Sequence, residues 1–118
     1  LKLAGIRIDP DKPAFKHTII KPHLLGNMTW ARASHRSMYG AVRSAWKRSD
    51  GRLTLEVTVP VNTTATVHVP AAEGSSVSEG GSSAKSAAGV EYLRREDGRA
   101  VYRVGSGDYR FSADLPNN

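Results

Sequence analysis

Between Leu53 and Pro70 the chain alternates apolar and polar residues twice over. Leu53, Leu55, Val57 and Val59 are separated by Thr54, Glu56 and Thr58, and Pro60 stops the run. Ala65, Val67 and Val69 then alternate with Thr64, Thr66 and His68 as far as Pro70. A period of two marks a strand with one face in a core and one in water. Proline ends each run because it has no N–H to give to a ladder. Val61-Asn62-Thr63 links the two runs as a short polar turn. Two half-buried strands so joined need a second sheet to cover their apolar face.

The flanking chain supplies more strands. Leu1 to Ile8 is short and apolar, and Asp9-Pro10-Asp11-Lys12-Pro13 breaks it. Phe15 to Lys21, Met28 to His35 and Ala41 to Lys47 read as strands. In the second of these Met28, Trp30 and Arg32 share one side, with Thr29, Ala31 and Ala33 on the other. In the third, Val42 and Trp46 share a phase. Asp50-Gly51 and Asp97-Gly98 each sit between alternating runs, the strongest short-range hairpin signal. The first is expected to pair the Trp46 strand with the Leu53 strand, and the second to pair Val90–Arg94 with Ala100–Val104. Ala71 to Ala88 is mostly Gly, Ser and Ala, and reads as a mobile loop or as a loop holding one short strand near Val77. Tyr109 and Phe111 alternate with Arg110 and Ser112 in a last strand. No segment has a helical period. The predicted fold is an all-β antiparallel β-sandwich of about eight strands.

Composition narrows the function. At 118 residues the chain is one domain in size and can build a core without staples. It has no cysteine, which excludes disulfides and thiolate zinc sites without fixing a compartment. No apolar run nears the roughly 20 residues of a membrane-spanning helix, and no segment of the sequence reads as a signal peptide. The chain opens at Leu1, which reads as a mature product or a piece of something longer. The net charge of +6 is uneven: residues 1–59 hold 11 of the 17 Lys and Arg but 4 of the 11 Asp and Glu. A basic half suits nucleic acid. Here the charges are scattered singly, as the polar faces of strands would place them.

Candidate chemistry is sparse. Asp9, Asp11, Asp50, Asp97 and Asp108 fall in turns, where a short acceptor helps form the turn. Glu56 lies on the polar phase of its strand. None has the apolar setting that raises a carboxyl for general-acid work. His17 and His23 are separated by a strand and a proline, which is no metal-ligand spacing. Gly105-Ser106-Gly107 lacks the spacing of a nucleophile elbow. Trp30 and Trp46 are either core rings or platforms for the apolar face of a sugar.

Several segments, in order, resemble one family. Lys16-His17-Thr18-Ile19-Ile20-Lys21-Pro22-His23, Met28-Thr29-Trp30-Ala31-Arg32-Ala33, Ser37-Met38-Tyr39-Gly40 and Ser44-Ala45-Trp46 come first. Val59-Pro60-Val61-Asn62-Thr63-Thr64-Ala65-Thr66-Val67 and Gly105-Ser106-Gly107-Asp108-Tyr109-Arg110-Phe111 follow. Together they are similar to the C-terminal β-sandwich domain of bacterial alpha-L-rhamnosidases of glycoside hydrolase family 78. The resemblance runs from Ala4 to Phe111.

The resemblance implies a non-catalytic domain that follows and packs on an (α/α)6 barrel of the same polypeptide. Residues 1–10 would be a linker or the tail of the barrel's last helix, with the sandwich over 11–118. Such enzymes release terminal alpha-L-rhamnose with inversion, which needs an acid and a base on opposite faces of the sugar. In the family both lie in the barrel, so the fragment alone is no enzyme, carries no catalytic residue and needs no cofactor. His17, His23, Trp30, Tyr39 and Trp46 are the candidates for a domain interface or a sugar contact. The barrel-facing surface is expected around His17, His23, Trp30 and Tyr39. A carbohydrate-binding module for rhamnose-containing glycans is the alternative, and a basic nucleic-acid-binding sandwich the second. Neither a membrane nor a nucleic acid is expected as partner, and the localisation stays open.

Overall fold

The computed structural model describes residues 6–8, 17–24, 28–37 and 40–115. Among these residues eleven strands form two sheets. They are β1 (Ile6–Ile8), β2 (His17–Ile20), β3 (Trp30–Ser37), β4 (Gly40–Ser49), β5 (Arg52–Val59) and β6 (Thr64–Pro70), then β7 (Ser78–Glu79), β8 (Ser82–Ser83), β9 (Val90–Glu96), β10 (Arg99–Val104) and β11 (Gly107–Asp114). One sheet has the order β1-β2-β6-β10-β9, and the other β3-β4-β5-β11-β7-β8.

The two Asp-Gly signals act as the sequence implies. Asp50 and Gly51 have φ of 54° and 76°, and Asp97 and Gly98 have 50° and 77°. Positive φ at both central residues gives the tight turn whose twist matches the strands it joins. The first turn pairs Trp46 with Leu55 across β4 and β5. The second pairs β9 with β10.

The central expectation needs one correction. β5 and β6 do not lie side by side; they belong to opposite sheets. The Pro60–Thr63 turn is therefore an arch across the sandwich. Asn62 takes a left-handed φ of 61°, and the Thr63 hydroxyl donates to the Pro60 carbonyl at 2.6 Å. Alternation gives the face of each strand but not its partner. Here the apolar faces of β5 and β6 point at each other. Leu53, Leu55, Val57 and Val59 from one sheet meet Ala65, Val67 and Val69 from the other in a single cluster.

Aromatic rings stitch that cluster. Tyr102 of β10 stacks on Phe111 of β11 across the sandwich, with centroids 5.5 Å apart and planes at 25°. Trp46 and Phe111 are fully enclosed. Burial of large rings in the space between two sheets is the main stabilising term of such a fold.

The Ala71–Ala88 segment is more ordered than its composition suggests. Two two-residue strands, β7 and β8, add a small hairpin to the edge of β11, and a 3-10 turn follows at Ala84–Ser86. Val77 and Ala84 reach the core, tied by an Ala84 N–H to Val77 carbonyl bond of 2.9 Å. Elements this short leave no readable period. β2 against β6 is also unexpected, because it is a parallel pair within an otherwise antiparallel sheet. Asp108, expected in a turn, stands in β11 and accepts a hydrogen bond from Thr58 at 2.8 Å. The helix tail expected over Leu1 to Ile6 lies almost wholly outside the described residues, and Ile6 itself opens strand β1.

Candidate functional site

The sequence candidates do not gather in one place. Inward residues on β6 are Ala65, Val67 and Val69, so Thr64, Thr66 and His68 point out of that sheet. His17 is in register with Thr64 and shares this outer face. Trp30 is on β3 of the other sheet, where Ala31 faces the core and Trp30 faces away. His17 and Trp30 are therefore on opposite outer faces of the sandwich and cannot share one flat contact. Trp46 is 2% exposed and belongs to the core. His23 is half-buried beyond the end of β2. Tyr39 lies outside the described residues.

His17 is buried and held at both ring nitrogens. Nδ1 lies 2.6 Å from Thr64 Oγ1, and Nε2 lies 2.7 Å from Thr66 Oγ1. In the neutral ring one nitrogen donates and the other accepts, and a hydroxyl can serve either. The imidazole is thus a clamp between β2 and β6.

His68 is a buried histidine that the sequence reading left unused. It stands on the same outer face, in register with the enclosed Val101, and its Nδ1 has no hydrogen-bond partner. Lost solvation pushes its pKa down, and the nearby Lys21 charge pushes the same way. Arg94 and Arg99 add to the effect, while Glu96 opposes it.

One end of the sandwich collects the turns of the quoted motifs. His17 opens β2 there, Gly40 opens β4, Pro60–Thr63 forms the arch, and Gly105–Gly107 links β10 to β11. The end is rigid. A Cβ built on Gly40 would meet Pro60 at 3.0 Å, so the start of β4 packs closely on the arch. The Tyr109 hydroxyl donates to the carbonyls of Gly105 and Ser106, at 3.0 and 3.2 Å. Burial raises the pKa of this hydroxyl, which keeps it a donor. At the apex of the arch Val61 is 66% exposed.

The opposite character appears on the outer face of β3, β4, β5 and β11. Register sets two rows across the strands: Trp30, Lys47, Thr54 and Ser112, then Arg32, Ala45, Glu56 and Arg110. The small side chain of Ala45 between Arg32 and Glu56 leaves a shallow hollow, part of an open groove of about 280 Å³. Trp30 forms one wall and is 58% exposed, although the Arg32 guanidinium lies over its ring at 5.7 Å from the centroid. Arg110 pairs with Glu56 at 3.7 Å. Among the described residues no cluster of His, Asp and Glu is arranged to hold a metal ion.

The fold is a small two-sheet, nearly all-β sandwich. The chain matches the family model of the bacterial alpha-L-rhamnosidase C-terminal domain over residues 5–84, and it belongs to that family.

It is 36% identical over 110 residues to an alpha-L-rhamnosidase of Streptomyces avermitilis, which covers 93% of this chain and 10% of the relative. It is 28% identical over 106 residues to one of Formosa agariphila, covering 90% of this chain and 11% of the relative. Among solved structures, the alpha-L-rhamnosidase of Dictyoglumus thermophilum superposes with a TM-score of 0.80 and 31% identity, over 95% of this chain and 12% of that one. The Streptomyces avermitilis enzyme complexed with L-rhamnose gives 0.79 and 35%, over 95% and 10%. The chain thus spans about a tenth of the length of these relatives. Nothing in the comparisons supports the nucleic-acid reading.

Proposed function

We propose that this chain is the structural C-terminal sandwich of a longer alpha-L-rhamnosidase, packed on the catalytic (α/α)6 barrel of the same polypeptide. The observation that carries this reading is the match itself. Almost the whole chain aligns, yet it accounts for only 10–12% of each relative's length. The acid and base that inversion requires would then sit elsewhere in the longer protein. The contact surface would be the end around Val61 and Ser106, where the Pro60–Thr63 arch and the Gly105-Ser106 turn present exposed groups.

Rhamnose release from a synthetic aryl alpha-L-rhamnoside tests the division of labour. The longer protein that carries this chain is expected to release rhamnose, and the 118-residue chain alone to release none. Release by the chain alone, or none by the longer protein, would overturn the reading.

A second reading, that the domain also holds a glycan, is favoured by one observation. Trp30 keeps 58% of its surface exposed beside the hollow over Ala45. An exposed ring on an edge strand, with the Arg32 guanidinium over it, leaves apolar surface beside that cation on which a pyranose can pack.

A further inference from the structure

We infer that the groove beside Trp30 is a binding site for an acidic glycan, one whose pyranose rings carry carboxylates. The inference rests on the glycan reading above and names its ligand class. Three features of the groove carry it.

The first is shape. Ala45 is the small residue in a row of long ones, so the floor is low between Arg32 and Glu56. The groove is open and shallow, which suits a chain lying across strands better than a small molecule enclosed on all sides. The second is the ring. Trp30 walls the groove and stays exposed, so stacking a sugar there removes apolar surface from water.

The third is charge. Arg32, Lys47 and Arg110 line the groove against the single carboxylate of Glu56. Glu56 faces Arg110 at 3.7 Å, and neither Arg32 nor Lys47 has an ion pair among the described residues, although the Arg32 guanidinium rests over the Trp30 ring and would have to shift part of its contact to the ligand. A carboxylate on a sugar stacked against Trp30 would fall between these two cations. Guanidinium and ammonium groups bind such a carboxylate by charge-assisted hydrogen bonds. Thr54 beside Lys47 and the free lone pairs of Glu56 supply the neutral hydroxyl contacts.

The two tryptophans make the test direct, because one is exposed and the other enclosed. The ¹⁵N-labelled chain is titrated with a tetramer of galacturonate, and the two indole N–H resonances are followed. The Trp30 signal is expected to move and saturate while the Trp46 signal stays. Trp30→Ala is expected to abolish binding, and Arg32→Gln or Lys47→Gln to weaken it by about tenfold. Rising salt should weaken it further.

The same tetramer fully methyl-esterified separates the two claims. Equal binding of the ester would overturn the acidic class and leave the glycan reading standing. No movement of Trp30 with either form would overturn both. An equal response to poly-glutamate would also overturn the inference, because the surface would then be reading charge alone.

Discussion

His17 and Thr64 lie side by side on β2 and β6, with Nδ1 of the ring 2.6 Å from Oγ1 of the threonine. Thr66, one outward position further along β6, takes the other ring nitrogen at 2.7 Å. β2 is a four-residue strand joined to β6 in parallel, a pairing slightly weaker per residue than its antiparallel neighbours. The histidine offsets that weakness by bridging two residues of the partner strand. Thr66→Val keeps the shape but removes one of the two hydroxyls that hold the buried His17 ring. It is expected to cost about 1–3 kcal/mol in urea unfolding. An unchanged midpoint would mean that the clamp contributes nothing.

The two tryptophans should respond in opposite ways to truncation. Trp46 is enclosed between the sheets, so Trp46→Ala is expected to cost about 3–5 kcal/mol. Trp30 stands on an outer face, and Trp30→Ala should stay within about 0.5 kcal/mol. Thermal unfolding of the two variants checks the pair.

Much of this was legible in the sequence, and the reason is the period of two. Leu53 to Val59, Val42 with Trp46, and Ala31 against Trp30 all kept the faces that alternation assigns them. The Asp50-Gly51 and Asp97-Gly98 hairpins formed because positive φ leaves the chain little other choice there. Partner choice was not legible. Nothing in Pro60-Val61-Asn62-Thr63 distinguishes an arch between sheets from a hairpin within one. The placement of His17 and Trp30 on opposite faces follows from that choice of partners, so it was hidden as well. β7 and β8 were hidden because two residues cannot show a period. His68 was passed over because it occupies a polar phase, and its burial depends on neighbours distant in sequence.

Burial of His68 gives the domain a pH dependence of known sign. Its folded pKa lies below the ordinary value of 6.5, so the unfolded chain binds the proton more readily. The group costs nothing well above that value, and destabilises the fold increasingly as pH falls below it. The melting temperature is expected to drop between about pH 7 and pH 5, and His68→Gln should flatten that part of the curve. Parallel curves for the two proteins would contradict the assignment. Lys21, Arg94 and Arg99 work in the same direction and Glu96 against it, so Glu96→Gln should steepen the drop.

Gly89 and Gly98 share nearly the same left-handed φ, at 78° and 77°, but different surroundings. A Cβ at Gly89 would lie 2.9 Å from the Tyr109 hydroxyl, whereas nothing stands within 4 Å at Gly98. Gly98→Ala is expected to cost about 1–2 kcal/mol from backbone strain alone. Gly89→Ala should cost about 1 kcal/mol more, because the Tyr109 bonds to Gly105 and Ser106 must shift. Equal losses in denaturant would show that those bonds do not hold the end together.

The proposed packing of the Val61 end on a catalytic barrel is tested most directly by amide hydrogen exchange. The 118-residue chain alone is compared with the longer protein that carries it. Exchange at the strand amides of β5, β6 and β11 should match in the two. The turn amides at Val61, Asn62 and Ser106 should exchange freely in the chain alone and be protected in the longer protein. Equal exchange at these turns, or protection confined to the Trp30 face, would contradict the account.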